Sequence, residues 1–134
     1  MIYVADAHTL IWYLSGNPRL GPAATAVLDD PSSDIVIPAT ALAELMWIIE
    51  RKPDKVGGLT YEVVQQALDL DSRISIYPLN RRVIERSISL TAVNEMHDRQ
   101  IVATTAVVID DGGDASLVTC DINITNAGYV PITW

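Results

Sequence analysis

Cationic side chains are scarce in this sequence: nine lysines and arginines face 17 aspartates and glutamates, for a formal net charge of −8. That balance excludes a protein that holds nucleic acid through a general positive field, so any such contact must be local or carried by a metal ion. Cysteine is nearly absent as well, and Cys120 alone excludes an internal disulfide. No apolar run reaches the ~20 residues that span a bilayer. The longest, Ala41 to Ile49, is broken by Glu44, which predicts a chain with no membrane partner. The chain opens on Ile2 to Ala5 without a basic stretch or a signal-length apolar segment, which predicts a mature cytoplasmic protein. Linkers, repeats and low-complexity tracts are also missing, and 134 residues suit one domain, 1–134. At that size folding buries roughly two-thirds of the surface, enough for a core without staples.

What is present is an alternation of short apolar runs with helical patterns. Strands are predicted at Ile2 to Ala5, Ile35 to Ile37, Ile74 to Tyr77, Ser116 to Thr119 and Tyr129 to Ile132. Between them the spacing predicts helices from Ala7 to Leu14, Pro22 to Asp29, Ala41 to Glu50, Thr60 to Leu70, Arg81 to Val93 and Asp98 to Ile109. The stretch from Arg51 to Leu59, with Pro53, Gly57 and Gly58, is predicted to be a loop. Strands alternating with helices, and too apolar for a wet face, imply an α/β fold with a mostly parallel sheet of four to five strands covered on both sides.

In such a sheet the functional crevice lies beyond the carboxyl ends of the strands. Asp6 and Asp121 each follow a strand directly, although the first also suits a helix N-cap and the second an ordinary turn. Glu44 is the one charge in a segment that is otherwise apolar all round, so it either extends its head to water or faces a polar pocket or cation. Asp98 shares a helical face with Ile101 and Val102, which a favourable helix-dipole position alone does not explain. Four carboxylates about 5 Å apart would repel by roughly 3 kcal/mol per pair at an effective dielectric near 20. Such a cluster must either raise several pKa values or take up cations, and oxygen donors without His or Cys suit Mg2+ or Mn2+ rather than zinc.

These residues have company. The opening Val4-Ala5-Asp6-Ala7-His8-Thr9-Leu10-Ile11-Trp12, the run Pro38 to Leu45, the segment Met96 to Ala103 and Leu117-Val118-Thr119-Cys120-Asp121 together resemble PIN-domain proteins of the VapC type, the toxin half of toxin–antitoxin pairs. The ending Gly128 to Ile132 is similar to the last strand of that family, so the resemblance spans essentially the whole chain. It implies a three-layer α/β/α PIN-like fold and a magnesium-dependent ribonuclease that hydrolyses RNA phosphodiesters and is neutralised by a protein antitoxin. Carried over position by position, the acidic site of the family falls on Asp6, Glu44, Asp98 and Asp121, and Thr119 matches a supporting hydroxyl. The resemblance further implies a homodimer, with Val83, Ile84 and Ile88 facing a second copy, and a groove for an antitoxin helix among Trp12, Tyr13, Trp47 and Ile48. The chain departs from the family where Cys120 stands in place of a common basic residue, and where Asp110 to Asp114 form a longer, more acidic turn.

Arg51, Lys52 and Lys55 form the only basic loop cluster, a candidate RNA-positioning patch or simply a solvated loop. Arg99 suits either an RNA phosphate or, more simply, a neighbouring acid. His8 is expected to pack or cap at a helix start, and His97 to lie in a loop. Neither has the ligand partners of a zinc site. The rival function from another class is a non-catalytic PIN-like binding module whose acidic pocket recognises a basic peptide. A receiver domain needs a lysine after a late strand, but only Lys52 and Lys55 exist. A haloacid-dehalogenase-like phosphatase needs an aspartate where His8 stands, and Asp6-Ala7-His8-Thr9 is no glycine-rich dinucleotide turn.

Overall fold

The structure, a computed structural model, describes residues 1–134. Its elements run β1 (Ile2–Ala5), α1 (Ala7–Ser15), α2 (Pro22–Asp29), β2 (Asp34–Pro38), α3 (Ala39–Arg51), α4 (Tyr61–Leu70), β3 (Ile74–Tyr77), α5 (Arg81–Ser87), α6 (Met96–Asp110), β4 (Ala115–Val118), α7 (Ile122–Ala127) and β5 (Ile132–Thr133). The five strands form one sheet in the order β3-β2-β1-β4-β5, and every neighbouring pair is parallel. All five carboxyl ends therefore point the same way.

The pleat sends alternate residues to opposite faces, and each face has its own apolar cluster. On one side Val4, with its register partners Val36 and Leu117, joins the main core with Leu45 of α3, Val64 of α4, Val83 of α5 and Ile101 of α6. On the other, Ile35 beside Tyr3 meets Ala24 and Leu28 of α2. The result is the expected three-layer α/β/α arrangement. β4 is buried throughout, whereas β3, at the sheet edge, leaves Ser75 and Ile76 exposed, so the expectation of no wet face fails for that strand. No helix is long and apolar enough to cross a membrane.

Local chemistry explains most boundaries. Pro22 takes the first position of α2, where its missing N–H costs nothing. Thr60 and Asn80 cap α4 and α5 through their side-chain oxygens. α6 ends where Gly112 adopts φ +89°, with Gly112 N–H on Ile109 O at 2.9 Å and Gly113 N–H on Val108 O at 3.0 Å, a Schellman closure.

Three further expectations need correction. The helix predicted from Arg81 to Val93 stops at Ser87. Beyond it, Leu90 and Val93 are buried through successive turns bonded Leu90 N–H to Ser87 O and Val93 N–H to Leu90 O, and that spacing of three imitates a helical stripe. α7 was not anticipated, because Ile-Asn-Ile-Thr-Asn-Ala is poor in strong helix formers and only its Asp121 cap and Gly128 terminus mark it. The last strand is accordingly shorter and later than Tyr129 to Ile132, beginning at Ile132.

Candidate active site

Asp6, Glu44, Asp98 and Asp121 all line one cleft of about 520 Å3 at the carboxyl end of the sheet. Parallel pairing brings the first and last of these together: Ala5 and Val118 are register partners, so the residues that follow β1 and β4 emerge side by side. Glu44 arrives from the inner turns of α3, which begins straight after β2, and Asp98 from the first turn of α6.

Asp6 is held from two directions. Its Oδ1 accepts from Thr9 N at 2.8 Å, capping α1, and its Oδ2 accepts from the Thr119 hydroxyl. Thr119 is buried, and its Oγ1 also accepts from Asp121 N at 3.1 Å, so one hydroxyl ties both strand-end acids together. Asp121 Oδ1 caps α7, accepting from Asn123 N at 2.8 Å and Ile124 N at 3.1 Å. Asp6 thus combines an N-cap role with a place in the cleft lining, its two oxygens held by different donors. Asp121 is a helix cap rather than an ordinary turn residue.

Glu44 and Asp98 are half-buried and accept no hydrogen bond from the protein. Burial pushes the Glu44 carboxyl above its usual range, with His8 and His97 pulling the other way. Asp98 is raised to about 6, first by burial and then by the charges of Glu95, Asp121, Glu44 and Asp6. The Cys120 thiol, at the cleft wall, is pushed up by burial and by the Asp6 charge. These shifts are those of a cluster of like charges in partial shelter from water.

The donor set fits a hard divalent cation: several carboxylate oxygens converge on one cleft, and those of Glu44 and Asp98 have no protein partner competing for them. No three His, Cys, Asp or Glu side chains already stand close enough together to form a ligand group. Drawing the acids onto one ion therefore requires side-chain rotation, for which the unbonded Glu44 and Asp98 are free and the doubly held Asp6 is not.

Sequence reasoning missed Glu95, a fifth acid in the cleft. It caps α6, its Oε2 accepting from Asp98 N at 2.8 Å, while its Oε1 lies 2.8 Å from His97 Nδ1. Burial opposes its charge, but the backbone bonds from His97 and Asp98 outweigh it and hold this carboxyl below the usual range. The signal was available, since Glu95 stands three residues before Asp98 at a helix start. His97 lies inside α6 rather than in a loop, and His8, exposed at the cleft, packs its ring T-shaped against Trp12 with centroids 5.9 Å apart and caps nothing. Arg99 donates its Nε–H to the Val93 carbonyl instead of pairing with an acid. Lys52 and Lys55 are exposed and outside the cleft lining, as is Arg51, whose guanidinium sits 4.6 Å over the Trp47 ring. Of the apolar residues singled out, Trp12 and Tyr13 are half-buried, Val83 is buried, and Trp47, Ile84 and Ile88 are exposed.

The model of the family described as PIN domain matches residues 3–128. Among curated proteins no sequence matches the chain significantly. Among solved structures the chain is similar to VapBC2 from Rickettsia felis bound to a DNA fragment from its promoter, with a TM-score of 0.71 and 18% identity over 98% of this chain and 97% of that one. It is also similar to FitAcB from Neisseria gonorrhoeae, with a TM-score of 0.65 and 19% identity over 98% and 96%. VapC20 from Mycobacterium tuberculosis, a sarcin-ricin loop cleaving toxin, aligns over 100% of both chains with a TM-score of 0.64 and 17% identity.

Proposed function

Because this chain belongs to the PIN domain family, we propose that it is a divalent-metal-dependent ribonuclease, the toxin of a VapC-type toxin–antitoxin pair, with RNA as substrate and a protein antitoxin as inhibitor. The observation that carries this reading is the meeting of Asp6, Glu44, Asp98 and Asp121 in one cleft at the carboxyl ends of parallel strands. The similar structures of VapBC2 and of a sarcin-ricin loop cleaving toxin support its toxin part.

Asp6, Asp98 and Asp121 would hold Mg2+, or Mn2+ in its place, and Glu44 would either join them or orient the attacking water. When bound, the ion supplies a water of lowered pKa and screens the charge of the scissile phosphate. The protein contributes position: the Thr119 hydroxyl and the α1 backbone fix Asp6, while the α7 backbone fixes Asp121. Arg51, Lys52, Lys55 and Arg99 supply the local positive charge that positions RNA, and the exposed Ile84 and Ile88 face a second copy of the chain.

Purified protein is expected to cut RNA with Mg2+ and to stop on addition of EDTA. Asp6→Asn keeps an oxygen able to cap α1 and so retains the fold, while cleavage falls by at least about a hundredfold. Full activity in the folded variant, or cleavage indifferent to EDTA, removes the assignment.

A further inference from the structure

Beside the acidic cleft lies a second groove of about 800 Å3, within the range of roughly 300–1,000 Å3 usual for small-molecule sites. Glu44 and His97 line both, so whatever fills the groove sits directly against the acids. Its walls are apolar and open: Trp47 is 57% exposed and Met96 60%, and Leu79 joins them in the lining. One polar group enters this setting under control. The Thr40 hydroxyl, itself buried, donates to Gln100 Oε1 at 2.8 Å, which fixes the amide and leaves its NH2 without a protein acceptor.

α3 also sets out a sequence of functions along one face. Glu44, Trp47 and Arg51 are spaced by three and four residues, so carboxylate, aromatic ring and cation follow one another over ~10 Å of helix. Arg51 lies against the ring, and its contact with Glu50 at 3.7 Å joins two exposed side chains, a pair that binds it weakly. In a chain of net charge −8 this is a cation held against one of the groove's lining residues, Trp47.

We infer that the groove is a nucleobase subsite: an unpaired base next to the scissile phosphate stacks on Trp47, receives a hydrogen bond from the Gln100 amide, and has its outer phosphate met by Arg51. This rests on the ribonuclease reading and adds to it the residues that meet the base beside the cut. The alternative occupant, an apolar protein helix, would offer no acceptor to the Gln100 amide and no anion to Arg51. A base supplies the acceptor, and its phosphate the anion.

The test compares the full chain with its Trp47→Ala and Gln100→Glu variants on a short single-stranded RNA and on the same RNA made abasic at the nucleotide flanking the cut. For the unaltered protein, removing the base lowers kcat/KM about tenfold or more, and Trp47→Ala loses a similar factor on intact RNA. On abasic RNA the two proteins cut equally. Gln100→Glu keeps the Thr40 bond but turns the donor into an acceptor, so the order of preference among the four bases at that nucleotide changes. Independent, additive losses from the variant and the missing base overturn the subsite, as does no loss at all, and in both cases magnesium-dependent cleavage still upholds the nuclease. If no RNA is cut, the nuclease reading fails instead, and the subsite is judged by binding of the two RNAs in Mg2+. Equal affinity for both, or none for either, then overturns it. A change in sedimenting mass on Trp47→Ala with cleavage unaltered makes the groove a protein contact and likewise overturns the proposal.

Discussion

Asp121 has two duties that a pair of substitutions separates. Its Oδ1 caps α7 through Asn123 N and Ile124 N, while the carboxylate as a whole faces the cleft. Asp121→Asn preserves a cap and Asp121→Ala does not, so the alanine variant should be less stable than the asparagine variant by about 1 kcal/mol in chemical denaturation. Both remove the same charge, so relief of repulsion cancels in the comparison. RNA cleavage should be lost equally in both, and activity that follows stability instead would show that Asp121 serves only the helix. The same sharing of oxygens is why Asp6 was legible in the sequence as both a cap and a site residue, and the structure makes these one arrangement. Glu95 was overlooked because the capping residue that points into the cleft stands outside its helix, where the apolar pattern gives it no face.

At the scale of elements, the turn between α6 and β4 decides where the strand that delivers Thr119 and Asp121 begins. Gly113 N–H bonds Val108 O, and a methyl group there would lie 2.8 Å from that same carbonyl and 2.9 Å from Val108 Cγ1. Gly113→Ala should therefore destabilise the chain by about 1–3 kcal/mol, seen as a lower urea midpoint with unchanged slope. An unchanged midpoint would mean that the turn yields freely and does not fix β4. The ion pairs nearby, Arg82 with Asp111 and Arg86 with Asp110, are exposed and contribute little by comparison. The acidic run Asp110 to Asp114 thus owes its form to a helix stop, with two exposed ion pairs from α5 beside it. The elements whose periodicity was long, α3 and α6, were legible within two residues at each end. α5 was overextended and α7 missed because short helices depend on caps and tertiary cover more than on pattern.

Across the whole molecule, the acidic cleft ties stability to pH and to cations. Asp98 is raised to about 6 in the folded chain from an ordinary value of 3.8, chiefly by burial, and Glu44 is raised as well. A folded state that binds more protons than the unfolded one loses stability as pH rises, here from about 4 to about 6, and has lost it fully above that. Metal-free protein should therefore melt at a higher temperature at pH 5 than at pH 7. The carboxyls held low, Glu95, Asp71 and Asp30, oppose this only at still lower pH. Saturating Mg2+ should raise the melting temperature by several degrees at pH 7 and by less at pH 5, where protons compete for the same oxygens. Scanning calorimetry with and without EDTA reads both effects, and a metal-free protein no more stable at pH 5 would contradict the shared cleft.

The sequence alone determined the α/β class and the parallel sheet and put Asp6 and Asp121 at strand ends, because a strand's apolar run and the residue after it are local features and parallel strands must end on one edge. Only the tertiary structure decided that β1 and β4 are neighbours, and with it the Thr119 bridge between Asp6 and Asp121. It also decided that Glu95 and His97 face the cleft and that Thr40 orients Gln100 from 60 residues away. Contacts of that range are set by how helices pack over the sheet, and no spacing along the chain encodes them.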